Sequence, residues 1–250
     1  MQPFGDVSLE IADHIATAEI HRPPHNFFDA GLIASLADAY EAADRAGARA
    51  IVLCSEGKNF CAGADFSGGS LSGGASKLYE QAVRLFEAPL PVVAAVQGKA
   101  VGGGLGLACS ADFRVASPQA TFLANFSRLG LHHGFGLTVT LPAIVGQQRA
   151  WNLLYTGLGV IGTDASTDGL VDYLAEQPRQ GAHELAGRLA EAGPLAVRSI
   201  RATMRGDLAA RMKAAMDHER AEQEKLWPTA DFAEGVKATA ERRAPKFVGR

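Results

Sequence analysis

Residues 91–117 read PVVAAVQGKAVGGGLGLACSADFRVAS, and most of the chain's organisation follows from them. Residues 92–96 are a short apolar run closed by Pro91 on one side and Gly98 on the other, the pattern of a buried strand. The Gly102-Gly103-Gly104 run comes next and predicts the start of a helix. Phe113-Arg114-Val115-Ala116 then reads as a further strand. Strands alternating with helices argue an α/β core.

Upstream, residues 7–21 alternate apolar and polar side chains with a turn near Asp13, a β-hairpin that Arg22-Pro23-Pro24 ends. Residues 29–46 place Leu32, Ile33, Leu36, Ala39 and Tyr40 on one helical face, with Asp29 as the natural N-cap. Residues 50–54 are another buried strand. A Gly/Ser loop over 67–76 leads into a helix over 76–87. Beyond about residue 140 the pattern is mostly helical. Gly193-Pro194 breaks it, and residues 195–225 form a long Ala- and charge-rich stretch suited to an intersubunit or solvated face. The tail begins as a helix and ends extended at Pro245. The division expected is a core over 1–194 and a C-terminal helical oligomerisation region over 195–250.

Composition narrows the function. The 250 residues carry 24 Lys and Arg against 27 Asp and Glu, a net charge of -3 with no basic stripe, so nucleic acid is not an expected partner. No apolar run reaches the length of a membrane span, and MQPFGDVSLE is no signal peptide. Cys54, Cys61 and Cys109 are odd in number and lack metal spacing; they read as reduced cytosolic thiols with no metal site, which gives a cytoplasmic expectation. Glycine is the outlier. Residues 57–146 hold 15 of the 28 glycines, as expected of loops with special dihedrals or of backbone brought close to a ligand.

Two of the glycine-bearing segments, FCAGAD at 60–65 and GKAVGGG at 98–104, each follow a buried strand. Small residues at such exits let two backbone N–H groups converge on one carbonyl oxygen and stabilise negative charge there. A helix dipole would add to that field. The plainer alternative is a pair of turns. A dinucleotide fold is the other, but the second segment lacks the full GxGxxG spacing.

FCAGAD followed by PVVAAVQGKAVGGGLGLACSADFRVAS resembles the crotonase superfamily, also called the enoyl-CoA hydratase/isomerase family. RPP-x-N at 22–26, the 151–172 segment and EGVKATAERRAPKF at 234–247 extend the resemblance over nearly the whole chain. It implies a ClpP/crotonase-like spiral of ββα units with a C-terminal helical trimerisation region, assembled as a homotrimer or a dimer of trimers. It implies an acyl-CoA thioester as substrate and no separate cofactor, since coenzyme A is part of that substrate. The oxyanion-hole N–H groups would come from Ala64 and Gly103. Coenzyme A would lie against residues 62–65, touching Ala62 and Asp65. Arg22 would sit near its phosphates and Lys246 and Phe247 near its adenosine, or else Arg22 and Lys246 are solvated surface charges.

The departures from the family pattern bear on the reaction. Hydratases of the family use two glutamates, and the ungapped alignment puts the corresponding positions at Gly106 and Phe126. Each lost acid or base is worth roughly 10²–10⁴-fold, so ordinary hydration or isomerisation is not expected. The loop GLHHGFG at 130–136 offers a replacement: His133 can act as acid or base, or can simply pack under the following helix. His132, Asn125, Ser127, Arg128, Tyr79 and Glu80 are lesser polar candidates, and Asp112 reads as structural. Three readings remain: an acyl-CoA enzyme working through an enolate, an acyl-CoA-binding pseudoenzyme, and a C–C bond hydrolase or decarboxylase on the same fold.

Overall fold

The computed structural model describes residues 1–64 and 71–250. The N-terminal strands β1 (Gln2–Phe4), β2 (Val7–Ala12) and β3 (Ile15–Ile20) form an antiparallel meander, with Asp13 and His14 at positive φ in the tight turn. The expected hairpin is therefore present, with β1 added to its edge. Strands β4 (Ala50–Ser55), β5 (Val92–Val96), β7 (Phe113–Ala116) and β10 (Tyr173–Leu174) extend it by parallel pairing into a seven-stranded sheet, ordered β1-β2-β3-β4-β5-β7-β10. Every residue of β4 and β5 is buried, as parallel strands covered on both faces require.

The period of two along these strands separates two apolar layers. Ile51, Leu53, Val92, Ala94 and Val96 face a core that includes Leu32, Leu36 and Tyr40 of α1 (Ala30–Arg45). Ala50, Val52, Cys54, Val93 and Ala95 face Ala182, Leu185 and Ala186 of α7 (Pro178–Glu191). Asp29 caps α1 as expected, accepting from Leu32 N–H at 2.8 Å. Helix α2 (Leu71–Glu87) begins earlier than the sequence predicts, so residues 71–76 are helix and not loop. Tyr79, Ala82, Leu85 and Phe86 bury one face of α2, and that burial outweighs the roughly 1 kcal/mol that each glycine in its first turns costs.

A second sheet, ordered β6-β8-β9, joins β6 (Lys99–Val101), β8 (Thr121–Leu123) and β9 (Gly159–Ile161). Helix α3 (Gly103–Ser110) starts on the triple glycine. Helices α4 (Leu137–Val145), α5 (Gln147–Thr156) and α6 (Gly162–Thr167) follow, with β9 between α5 and α6. Residues 195–225 are two helices, α8 (Pro194–Arg205) and α9 (Leu208–Leu226), because Gly206 at φ +51° turns the chain between them. Met212 and Met216 of α9 are fully buried in the main apolar cluster, and α10 (Ala230–Ala240) carries the tail. Leu195, Ile200 and Met204 of α8 project into solvent. No described helix is long and apolar enough to cross a membrane.

Asp112 ties α8 to the sheet. Its carboxylate accepts from Val92 N–H at 2.8 Å and pairs with Arg201 and Arg205, both at 2.9 Å. The structural reading of Asp112 is thus met. The three cysteines are buried free thiols, and burial pushes Cys54 and Cys61 up to about 12 and Cys109 up to about 11. Removing one partner of a buried ion pair leaves the other charge uncompensated. Asp112→Ala is expected to cost about 3 kcal/mol of unfolding free energy, read by urea denaturation, with Arg201 as the group left stranded.

Candidate active site

The segment after β4 runs parallel to β6. Cys61 N–H donates to Lys99 O at 3.0 Å, Val101 N–H donates to Cys61 O at 2.9 Å, and Cys61 pairs with Ala100. Beyond that ladder the two segments stay in contact as far as Gly63 and Gly103. Phe28 N–H donates to Gly63 O at 2.9 Å and holds the segment from its other side. Ala62 N–H is used locally, donating to His25 O at 2.9 Å. Among the described residues, neither the Ala64 nor the Gly103 N–H has an acceptor. Gly103 opens α3, so its N–H is one of the orphan donors of a helix N-terminus.

Only glycine fits this arrangement. A Cβ on Gly103 would sit 2.5 Å from Phe28 Cζ, and one on Gly104 would overlap the Cys61 carbonyl oxygen. Gly63 lies at φ +97° with its missing Cβ 3.5 Å from Gly103 N.

The two positions where the resemblance expects carboxylates are apolar and filled. Gly106 is buried, and a Cβ there would lie 2.6 Å from Phe135 Cβ. Phe135 is itself buried, at φ +61°, with its ring centroid 5.2 Å from that of Phe28. Phe126 is buried too, with Cζ 3.6 Å from the space a Gly102 side chain would take.

The histidine loop closes the group. His133 lies edge-on to Phe126, ring centroids 6.4 Å apart, and is stacked on His132 at 4.2 Å. His133 Nε2 is 2.8 Å from Thr138 Oγ1 on the first turn of α4, so it does pack on the following helix. Burial pushes its imidazole down to about 3, with neighbouring His132 and His218 acting in the same direction, and the ring is neutral at pH 7. Glu219 of α9 lies beneath with no exposed side-chain surface, 3.8 Å from His133 Nε2. It accepts from Gly136 N–H at 2.8 Å, Thr138 N–H at 3.0 Å and Thr138 Oγ1–H at 2.6 Å. Burial raises the Glu219 carboxyl from its ordinary value, against the pull of those hydrogen bonds.

A family model described as enoyl-CoA hydratase/isomerase matches residues 10–250. The chain belongs to the enoyl-CoA hydratase/isomerase family. A probable enoyl-CoA hydratase of Mycobacterium tuberculosis, EchA14, is 34% identical over 100% of this chain and 97% of its own. A probable enoyl-CoA hydratase of Rhodobacter capsulatus is 33% identical, with 99% of each chain covered. The crystal structure of an enoyl-CoA hydratase/isomerase from Pseudoalteromonas atlantica superposes with a TM-score of 0.88 at 28% identity, covering 98% of this chain and 100% of that one. The crotonase-type α/β fold expected from the sequence is therefore the fold this chain adopts.

In this enoyl-CoA hydratase/isomerase family member the other candidates sit as follows. Arg22 is paired with Asp6 at 2.6 Å and with Asp29 at 3.0 Å. The Lys246 N–H donates to Glu234, and Val248 and Gly249 N–H donate to Asp231, which lays the tail and the half-exposed Phe247 along the start of α10. Asp65 lies outside the described residues. Tyr79 is buried and reaches Gln223 at 3.2 Å, whereas Glu80 is exposed. Asn125 Oδ1 is 3.1 Å from the missing Gly102 side chain, and Arg128 bonds Thr156 O at 3.0 Å. Glu219 escaped sequence reasoning because it stands in a charged helical run, HERAEQEK at 218–225, that reads as a solvated face.

Two outcomes follow for this family member. Gly106→Glu is expected to cost about 1–3 kcal/mol by overpacking against Phe135. A Gly106→Glu/Phe135→Ala double variant should depart from additivity by about 1 kcal/mol in denaturant titrations. Below pH 6.5 the unfolded chain binds a proton at His133 that the folded chain does not take up until about pH 3, so that residue's contribution to stability falls on acidification through this window. Glu219, raised in the fold, acts in the opposite sense. Unfolding free energies between pH 7 and pH 4 should therefore decline more gently for His133→Asn than for the parent.

Proposed function

We propose that this protein binds an acyl-CoA thioester and stabilises its enolate between the N–H groups of Ala64 and Gly103. The observation that supports this reading is the close packing of residues 61–64 on the start of α3, where the Ala64 and Gly103 N–H groups have no acceptor among the described residues and Gly103 stands at a helix N-terminus. Family membership supports the substrate class. The reaction proposed is not ordinary hydration, because the Gly106 and Phe126 positions carry no carboxylate and Phe135 occupies the space beside Gly106. His133 is the candidate acid/base. A C–C bond hydrolase or decarboxylase is the third possibility, testable on β-diketone and malonyl-type thioesters.

The apolar enclosure at the Gly106 and Phe126 positions favours a second reading, an acyl-CoA-binding protein without turnover. Assembly as a homotrimer or a dimer of trimers through the apolar side chains of α8 belongs to the same proposal, and sedimentation equilibrium tests it.

A thioester labelled with ¹³C at the carbonyl tests the donor pair directly. Bound butyryl-CoA should show its C=O stretch lowered relative to the free compound; an unshifted carbonyl overturns the placement at Ala64 and Gly103. Crotonyl-CoA hydration is expected at least roughly 10²-fold below that of a family hydratase bearing both glutamates, the lower bound for losing a positioned acid or base. Comparable turnover rejects the reading. Tight binding of thioesters with no turnover on any panel member favours the second.

A further inference from the structure

We propose that His133, Thr138 and Glu219 form a proton relay from the acyl group to the C-terminal helix α9, with Glu219 as the terminal acceptor. This rests on the thioester-enolate reading. The geometry is a continuous chain: His133 Nε2 to Thr138 Oγ1 at 2.8 Å, then Thr138 Oγ1–H donating to Glu219 Oε1 at 2.6 Å. Since the Thr138 hydroxyl proton is given to Glu219, the hydroxyl oxygen accepts from His133, which fixes the proton of the neutral imidazole on Nε2. His133 Nδ1 then carries the lone pair, and it has no hydrogen-bond partner among the described residues. Its ring lies beside Phe126, which in turn borders Gly102.

Each step balances. The substrate α-C–H bond breaks and its proton joins His133 Nδ1. The Nε2 proton passes to Thr138 Oγ1, and the original hydroxyl proton passes to Glu219 Oε1. The imidazole ends neutral as its other tautomer, Glu219 ends as a carboxylic acid, and the electron pair left on carbon becomes the enolate. One negative charge has moved from Glu219 to the thioester, and no imidazolium has accumulated. That last point matters here. His132 is stacked on His133, His218 faces His132 at 6.2 Å, and burial among them disfavours a positive charge on His133. A buried carboxylate held above its ordinary value is a suitable final acceptor. Glu219 touches no reacting atom and is a positioning residue that acts through Thr138 and His133.

The test uses butyryl-CoA, whose α-protons exchange in D₂O if the enolate forms, followed by proton NMR, with binding measured by calorimetry. Glu219→Gln and Thr138→Val should each lower exchange about 100-fold with unchanged affinity. The Glu219→Gln/His133→Gln double variant should be no slower than either single, and Thr138→Ser should exchange near the parent rate. Thr138→Val keeps both backbone bonds to Glu219, so the relay stays testable if Glu219→Gln fails to fold. Nitrogen-15 spectra of His133 should show the Nε2–H tautomer in the parent and its loss in Thr138→Val. Parent-like exchange in a folded Thr138→Val variant overturns the relay, as does an Nδ1–H tautomer in the parent. A parent that binds butyryl-CoA yet exchanges no α-proton overturns the relay and leaves the binding reading intact. Failure to bind any thioester overturns both.

Discussion

The close approach of two backbones, residues 61–64 against 99–104, is the constraint to which the rest of the molecule answers. Two ladder hydrogen bonds set the register, and the contact is so tight that a side chain at Gly104 would run into the Cys61 carbonyl. The main sheet delivers both segments, because β4 and β5 lie side by side in parallel and finish at the same end of the sheet. Helix α3 can begin there only because Gly102, at φ +55°, turns the chain out of β6. Phe28 completes the enclosure, bonding Gly63 through its backbone and covering Gly103 with its ring. Fold stability and donor geometry thus share the same atoms.

A second dependence runs from the C-terminal helices to the 130–136 loop. Glu219 and Gln223, four residues apart and hence on one face of α9, hold that loop through Gly136, Thr138 and the His132 carbonyl. Tyr79 of α2 closes the group through Gln223. A carboxylate this buried is tolerated because three donors are aimed at it. Helix α9 is therefore the support on which the 130–136 loop rests.

Much of this was legible in the sequence, and the reasons differ by element. The hairpin, α1 and the strands over 50–54 and 92–96 announce themselves through periodicity and through Asp29, since local propensity and burial agree there. The start of α3 is marked by its glycines. The short strands β6, β8 and β9 carry too few residues for any period, and their pairing is wholly tertiary. The start of α2 was misplaced because local glycine and serine content argues for a loop while packing of its later turns sustains a helix. The site divides in the same way. Ala64 and Gly103 stand out as candidates because a pair of backbone donors demands small residues in a fixed pattern. Phe135 and Glu219 are not, since one fills a void that exists only after folding and the other reaches the loop from more than eighty positions away.

The three thiols have a practical consequence. Cys54, Cys61 and Cys109 are all buried, and burial holds each sulfur in its protonated, unreactive form at neutral pH. The folded protein is accordingly a silent background for maleimide chemistry. A single cysteine introduced at an exposed position such as Phe27, next to the Phe28 that covers Gly103, would take a fluorophore selectively without stripping the native residues first.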